Sequence, residues 1–406
     1  MIERSKCMNV PNIRFKGFNG EWEKKKLGEV APLKGGYAFN SANFKDSGIP
    51  IVRISNILES EEVGGEFVFY DKIKNEKQFL LRYEDIVIAM SGATTGKIAL
   101  VKTKNKLYQN QRVGKFSRTS DVDYKYLSAL VSSSNFSFEL NKLLSSGAQP
   151  NVSSSDIDSI KLYFPSCKQE QFLLGSFLER INNIIVTTSL KLASLKQIKA
   201  ASLQSMFPQE GETVPKVRFK GFEGEWDFVT AGEVFRTTNV RNRPDLPVLS
   251  ATQDKGMVKR SDIGYQVFHD KSNETTYKHI LPGQFIIHLR SFQGGFAHSN
   301  IEGIVSPAYT VMEFKNKEFH YDYFWKYIFT SKEFIKRLEL ITYGIRDGRT
   351  ISFDEFKEMD FFIPSKLEQQ KIASYFCNLD KQISLQTQRL EKLKQIKAAC
   401  LDKMFV

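Results

Sequence analysis

The sequence predicts an α+β fold made twice, two similar modules that each close in one long amphipathic helix. Three observations carry that expectation. Val10-Pro-Asn-Ile-Arg-Phe-Lys-Gly-Phe-Asn-Gly-Glu-Trp22 returns as Val214-Pro-Lys-Val-Arg-Phe-Lys-Gly-Phe-Glu-Gly-Glu-Trp226, with Gly28-Glu-Val30 following in frame as Gly232-Glu-Val234. Leu195-Lys-Gln-Ile-Lys-Ala-Ala201 recurs unchanged as Leu393-Lys-Gln-Ile-Lys-Ala-Ala399, and each copy runs on to a Met-Phe pair, Met206-Phe207 and Met404-Phe405. Between these landmarks lie short β-branched and aromatic runs punctuated by Gly, Asn, Asp and Pro, the pattern of strands joined by turns. The period far exceeds the ~20–50 residues of solenoid units, so it copies a whole module. A pseudo-twofold internal repeat suits a partner that also comes in two halves.

In chain order, Ile49–Ile54, Asp85–Met90 and Lys97–Val101 read as strands of the first module, and Gln284–Leu289 and Tyr309–Met312 as strands of the second. Tyr124–Leu144 and Tyr321–Leu340 carry apolar residues at helical spacing and occupy matching places. Phe164-Pro-Ser166 and Ile363-Pro-Ser365 then break the chain, because proline ends a strand readily but cannot sit in a helix interior. A long helical pattern begins at once in each copy. Its apolar stripe runs Phe177, Ile181, Ile185, Leu192, Leu195, Ile198, Met206 in the first and Ile372, Phe376, Leu379, Ile383, Leu390, Leu393, Ile396, Cys400, Met404 in the second. Polar Thr188 and Gln386 take equivalent stripe positions, where they could fix register. Helices of ~40 residues would be rods of ~60 Å that need a partner along their length, and the two stripes are each other's best match. The boundaries expected are 1–165 and 209–364 for the modules, 166–208 and 365–406 for the helices.

The 406 residues carry a formal charge of +12, which points to an acidic partner such as nucleic acid. Cys7, Cys167, Cys377 and Cys400 show no CxxC spacing, and the five histidines, His269, His279, His288, His298 and His320, show no ligand spacing, so neither disulfides nor zinc is expected. No apolar run is long enough to span a membrane and Met1–Cys7 has no apolar signal core, so no membrane partner and a cytoplasmic location are expected.

Ser91-Gly-Ala-Thr-Thr-Gly-Lys97 resembles a nucleotide-binding loop only superficially: it has three residues between its glycines, and Ile98 stands where a metal-binding hydroxyl belongs. A small-residue loop with polar side chains after a strand instead suits base or phosphate contact. Ser91, Thr94, Thr95 and Lys97 are candidates, with Gln109, Asn110, Gln111 and Arg112 after the next strand, since amides and Arg pair bidentately with adenine and guanine edges. The second module offers His288, Arg290, Ser291 and Gln293, joined by Arg241, Arg243, Arg346 and Arg349. No nucleophile motif, paired-carboxylate core or glycine-rich cofactor loop of a methyltransferase stands out.

With these landmarks in hand, the chain resembles the specificity subunits of type I restriction-modification systems. The resemblance rests on the doubled Val-Pro-x-x-Arg-Phe-Lys-Gly-Phe segment, the Ser91–Lys97 loop, the Gly147-Ala-Gln-Pro-Asn151 run, which adds Gln149 and Asn151 to the candidates, and the two Lys-Gln-Ile-Lys-Ala-Ala helices. It implies two target recognition domains separated by two antiparallel spacer helices, each domain reading one half of a bipartite site in double-stranded DNA. It further implies docking of two modification (methyltransferase) subunits, and of restriction (endonuclease and translocase) subunits in the full complex. S-adenosylmethionine, ATP and Mg would then be used only on those partners, this chain holding no cofactor and no catalytic residue. The alternatives are a DNA-modifying or DNA-cleaving enzyme with unrecognised motifs and a scaffold that binds no DNA.

Overall fold

The structure is a computed structural model in which residues 9–145, 151–252, 255–263, 271–288, 295–342 and 351–406 are described. The chain forms two compact units, Met1–Ser189 with Gln388–Val406, and Leu190–Thr387.

In the first unit an antiparallel sheet runs Leu33–Lys34, Val113–Phe116, Ile86–Ala89, Ile98–Leu100, and a mixed one runs Val68–Tyr70, Ile49–Val52, Leu107–Gln109, Leu80–Leu81. Ile86–Ala89 is buried on both faces, Ile86 and Ile88 facing one apolar core and Val87 and Ala89 another, which is why it reads as a continuous apolar run rather than an alternating one. Ile49–Val52 pairs in parallel with Leu107–Gln109, so both strands end on the same side. The second unit repeats the antiparallel sheet as Phe235–Thr238, Thr310–Phe314, Phe285–Ile287, Phe296–His298. Its core is dominated by aromatic rings, with Phe235 and Trp325 edge to face at 5.0 Å.

The sequence-expected helix over 124–144 is two, Tyr124–Val131 and Ser134–Leu144, and its counterpart is Asp322–Phe329 and Lys332–Thr342. Serine causes both breaks: Ser133 Oγ accepts from Phe136 N and Ser331 Oγ from Phe334 N, each capping a new first turn.

The long helices span Lys168–Ser205 and Lys366–Lys403, 38 residues each. Each start is clamped by its own module's repeated opening segment. Arg14 holds Glu170 through two bonds of 2.7 and 2.8 Å, and Arg218 holds Glu368 through two of 2.7 Å, both carboxylates being buried in the helix first turn. The same arginines donate to Gly20 O and Gly224 O, which explains why the Arg-Phe-Lys-Gly-Phe run is written twice.

Each helix begins in one unit and ends in the core of the other. Met404 and Phe405 pack with Trp22 in the first unit, and Met206 and Phe207 with Trp226 in the second. Within the first unit Lys397 meets Asn182; within the second Lys199 meets Asp380 and Ser202 meets Tyr375, so in each unit the two helices run antiparallel. The expected stripe is corrected at one repeated position. Ile198 and Ile396 stay 44% and 41% exposed, because the buried line passes from Leu195 to Met206 through Lys199 and Ser202, and its copy passes through Lys397 and Cys400. Thr188 is buried whereas Gln386 is only half-buried, so these two stripe positions are not equivalent.

Candidate nucleic-acid interface

The strand Ile86–Ala89 of the first unit delivers its chain to a point where three segments meet. Met90 N donates to Arg112 O at 2.9 Å, Val152 N donates to Met90 O at 2.9 Å, and Ser91 pairs with Asn151 as an isolated antiparallel bridge. The Ser91–Lys97 loop, the Asn110–Arg112 turn and Asn151 therefore form one surface. The loop turns through Gly92 and Gly96, at φ of 78° and 87° where a side chain would be strained. Inside it Thr95 Oγ1 donates to Gly92 O at 2.6 Å, Thr94 Oγ1 lies 3.4 Å from Ile54 O, and Lys97 Nζ lies 3.2 Å from Glu59. Asn110 Oδ1 accepts from Arg112 N, which leaves the exposed Gln111 and Arg112 side chains directed by a fixed backbone.

Gln109 does not belong to this surface. It is fully buried, and its amide donates to Lys34 O and Val113 O at 2.7 Å each, so it ties strand to strand inside the module and meets no solvent. Arg53, which the sequence pattern hid inside a strand, does belong. It follows Ile49–Val52, whose last carbonyl accepts from Asn110 N, and its Nε is buried without a protein partner. Ser91 Oγ is a second buried orphan in the same neighbourhood. Buried polar atoms without partners are uncommon, and these two lie on segments that meet where Thr94 Oγ1 lies 3.4 Å from Ile54 O.

In the second unit Arg241 bridges Lys278, Lys278 Nζ donates to Tyr309 O at 2.6 Å, and the Tyr309 ring meets that of His288 at 6.2 Å. Burial holds His288 below its usual pKa, while burial and the charge of Arg241 together depress Lys278. Arg243 stands apart: two bonds of 3.0 Å to Asp245 neutralise it, which raises its own pKa and lowers that of Asp245. Lys278 and Tyr309 are the residues the sequence did not single out; both sit in strand patterns that look purely structural. The candidates Gln149, Arg290, Ser291, Gln293, Arg346 and Arg349 lie outside the described residues. Among the described residues no group of three or more His, Cys, Asp or Glu is arranged to hold a metal, and no helix is long and apolar enough to cross a membrane.

Fold and site together define a class, an internally duplicated α+β protein with polar residues gathered where strands of each unit end. The family model for the type I restriction modification DNA specificity domain matches this chain twice, at residues 19–198 and 223–395. The chain belongs to that family. It is 30% identical over 197 residues to the specificity subunit of the type I restriction enzyme MjaVIII of Methanocaldococcus jannaschii, a match covering 46% of this chain and 44% of the relative. The chain thus spans less than half the length of that curated relative. Among solved structures it is similar to the S subunit of a type I restriction-modification system from M. genitalium, with a TM-score of 0.62, 15% identity, and 98% and 99% of the two chains covered. A chain described for complex assembly and conformational transition of a type I system gives a TM-score of 0.48 at 17% identity, covering 94% of this chain and 97% of its own.

Proposed function

We propose that this chain is the address-reading subunit of a type I restriction-modification complex, each unit reading one half of a two-part site in duplex DNA. The observation that carries the reading is the doubling itself: the specificity domain occurs twice, while the loops on the two copies differ. Similar scaffolds with different loops are what two different half-sites require. In the first half Arg53, Asn110, Gln111, Arg112 and Asn151 supply guanidinium and amide groups for base edges, and Lys97 suits a phosphate. In the second half Arg241, Lys278 and His288 take the corresponding roles.

The long helices supply docking for two modification subunits. Lys196, Gln197, Ile198, Ala200 and Ala201 are exposed, and so are Lys394, Gln395, Ile396, Ala398 and Ala399. Core packing does not demand identity at exposed positions, whereas one partner species binding twice does. The chemistry belongs to those partners: S-adenosylmethionine serves the modification subunits, and ATP and Mg the restriction subunits, while this chain contributes binding and position.

Mapping methylated adenines in cells carrying this chain with its modification subunits tests the proposal. A motif of two defined parts separated by a fixed unspecified gap is expected. A single contiguous motif, or methylation without sequence preference, overturns it.

A further inference from the structure

Outside the reading surface, the first unit carries a concentrated block of positive charge. An open depression of about 320 Å³ lies beside the strand Leu80–Leu81, walled by Lys77, Arg82, Tyr83, Lys104, Asn105 and Lys106. Lys77, Arg82, Lys104 and Lys106 make its walls cationic and no carboxylate among the described residues lines it, so an anion suits it better than a neutral metabolite. The nearby carboxylates are already shared. Glu76 accepts the Tyr108 hydroxyl and stands 3.6 Å from Lys106 and 4.0 Å from Lys72, while buried Asp85 faces Lys115 at 3.7 Å and Arg118 at 3.5 Å. Lys77, Arg82 and Lys104 are exposed and no ion pair is formed by them among the described residues. Burial pushes the nearby Lys115 amine below its usual pKa, the charges of Arg82 and Lys34 adding to the effect and that of Asp85 opposing it.

Position indicates which anion. Lys104–Lys106 lead directly into the strand Leu107–Gln109, and the turn Asn110–Arg112 leaves its other end. Three residues of strand span ~10 Å, close to the ~12 Å width of a DNA major groove. A side chain in the groove at one end of this strand therefore puts the other end near a flanking backbone.

We propose that the depression is a sequence-independent phosphate seat, which grips the sugar-phosphate backbone of the duplex whose bases are read at the opposite end of the strand. It rests on the site-reading role proposed above. Lys77, Arg82 and Lys104 would each neutralise a phosphate and release its counterions, while the Tyr83 hydroxyl and the Asn105 amide offer uncharged donors.

The test is the salt dependence of DNA binding by the chain assembled with its modification subunits, using a motif-bearing and a scrambled duplex. The variant K77Q/R82Q/K104Q should lower the slope of log affinity against log salt by about 2 to 3, near the ~0.9 expected per phosphate contact. It should weaken both duplexes by the same factor and leave the methylated motif unaltered. The single variant K104Q should lower the slope by ~0.9 and covers the case in which the triple variant does not fold. An unchanged slope overturns the seat, and so does a changed motif, which would make the depression a base reader. Failure of the triple variant to assemble with modification subunits, with K104Q assembling and its slope intact, would assign the patch to a protein partner. Tight binding of inorganic phosphate with unaltered DNA affinity would make it a small-anion site, and both results likewise overturn the proposal. A wild-type complex that binds both duplexes equally, yet with a steep slope that the variant reduces, would sink the reading role and leave the seat standing.

Discussion

Two kinds of polar residue at neighbouring strand ends of the first unit differ in what their side chains meet. Gln109 spends its amide on two carbonyls inside the module, so Gln109→Ala should leave the methylated motif intact and cost stability, about 1–3 kcal/mol for two buried acceptors left without a donor. Arg112→Ala and Arg53→Ala should leave stability nearly unchanged and relax the bases accepted in one half-site only, at about 1–3 kcal/mol of discrimination. Unfolding curves and methylation maps separate the two outcomes, and equal loss on motif and random duplexes would reassign Arg53 and Arg112 to phosphates. Gln109 looked like a reading residue because Gln109-Asn110-Gln111-Arg112 is a polar run, and nothing in a run says where a strand stops. Arg53 escaped notice for the mirror reason, a lone charge after Pro50-Ile-Val52 that reads as the outward face of a strand. Arg218→Ala tests the clamp on the second helix. It leaves Glu368 buried and uncompensated at 1% side-chain exposure, so a loss of about 3–5 kcal/mol is expected in the unfolding of that unit.

Elements were legible where two independent signals agreed. Each long helix announced itself by a proline break and a sustained apolar stripe, and both run 38 residues without interruption. The shorter helices were blurred because apolar spacing continues across Ser133 and Ser331, so the pattern ran on where the backbone stops. Ile198 and Ile396 were misplaced because apolar character alone cannot separate a buried seam from an exposed face. If these helices set the gap between half-sites, four residues inserted between Thr188 and Leu192 would add ~6 Å and keep the stripe nearly in phase. The motif should then keep its bases and lengthen its gap by one or two base pairs, at ~3.4 Å each. Methylation mapping of the insertion variant decides it; altered bases with the old gap would remove the helices from that role.

At the scale of the whole molecule the doubling was the most legible property, because it needs only comparison of the chain with itself. What stayed hidden was which core receives each helix end. Met206-Phe207 and Met404-Phe405 follow identical heptapeptides, and sequence alone gives no reason to place each pair in the unit that its own helix does not start from. That placement has a consequence for synthesis. At ~5–20 residues per second, the ~200 residues that separate the first unit's strands from its last helix take ~10–40 s to emerge. Through that interval Trp22 and its neighbours lack the Met404-Phe405 pair that covers them, whereas the second unit already holds Met206-Phe207 when its own sheet is made. The last residues of the second unit precede those of the first, so the first unit is expected to be the one that waits longest with its core open. Removal of Met404–Val406 should reproduce that nascent state in the finished protein: proteolysis should open the first unit while leaving the second protected.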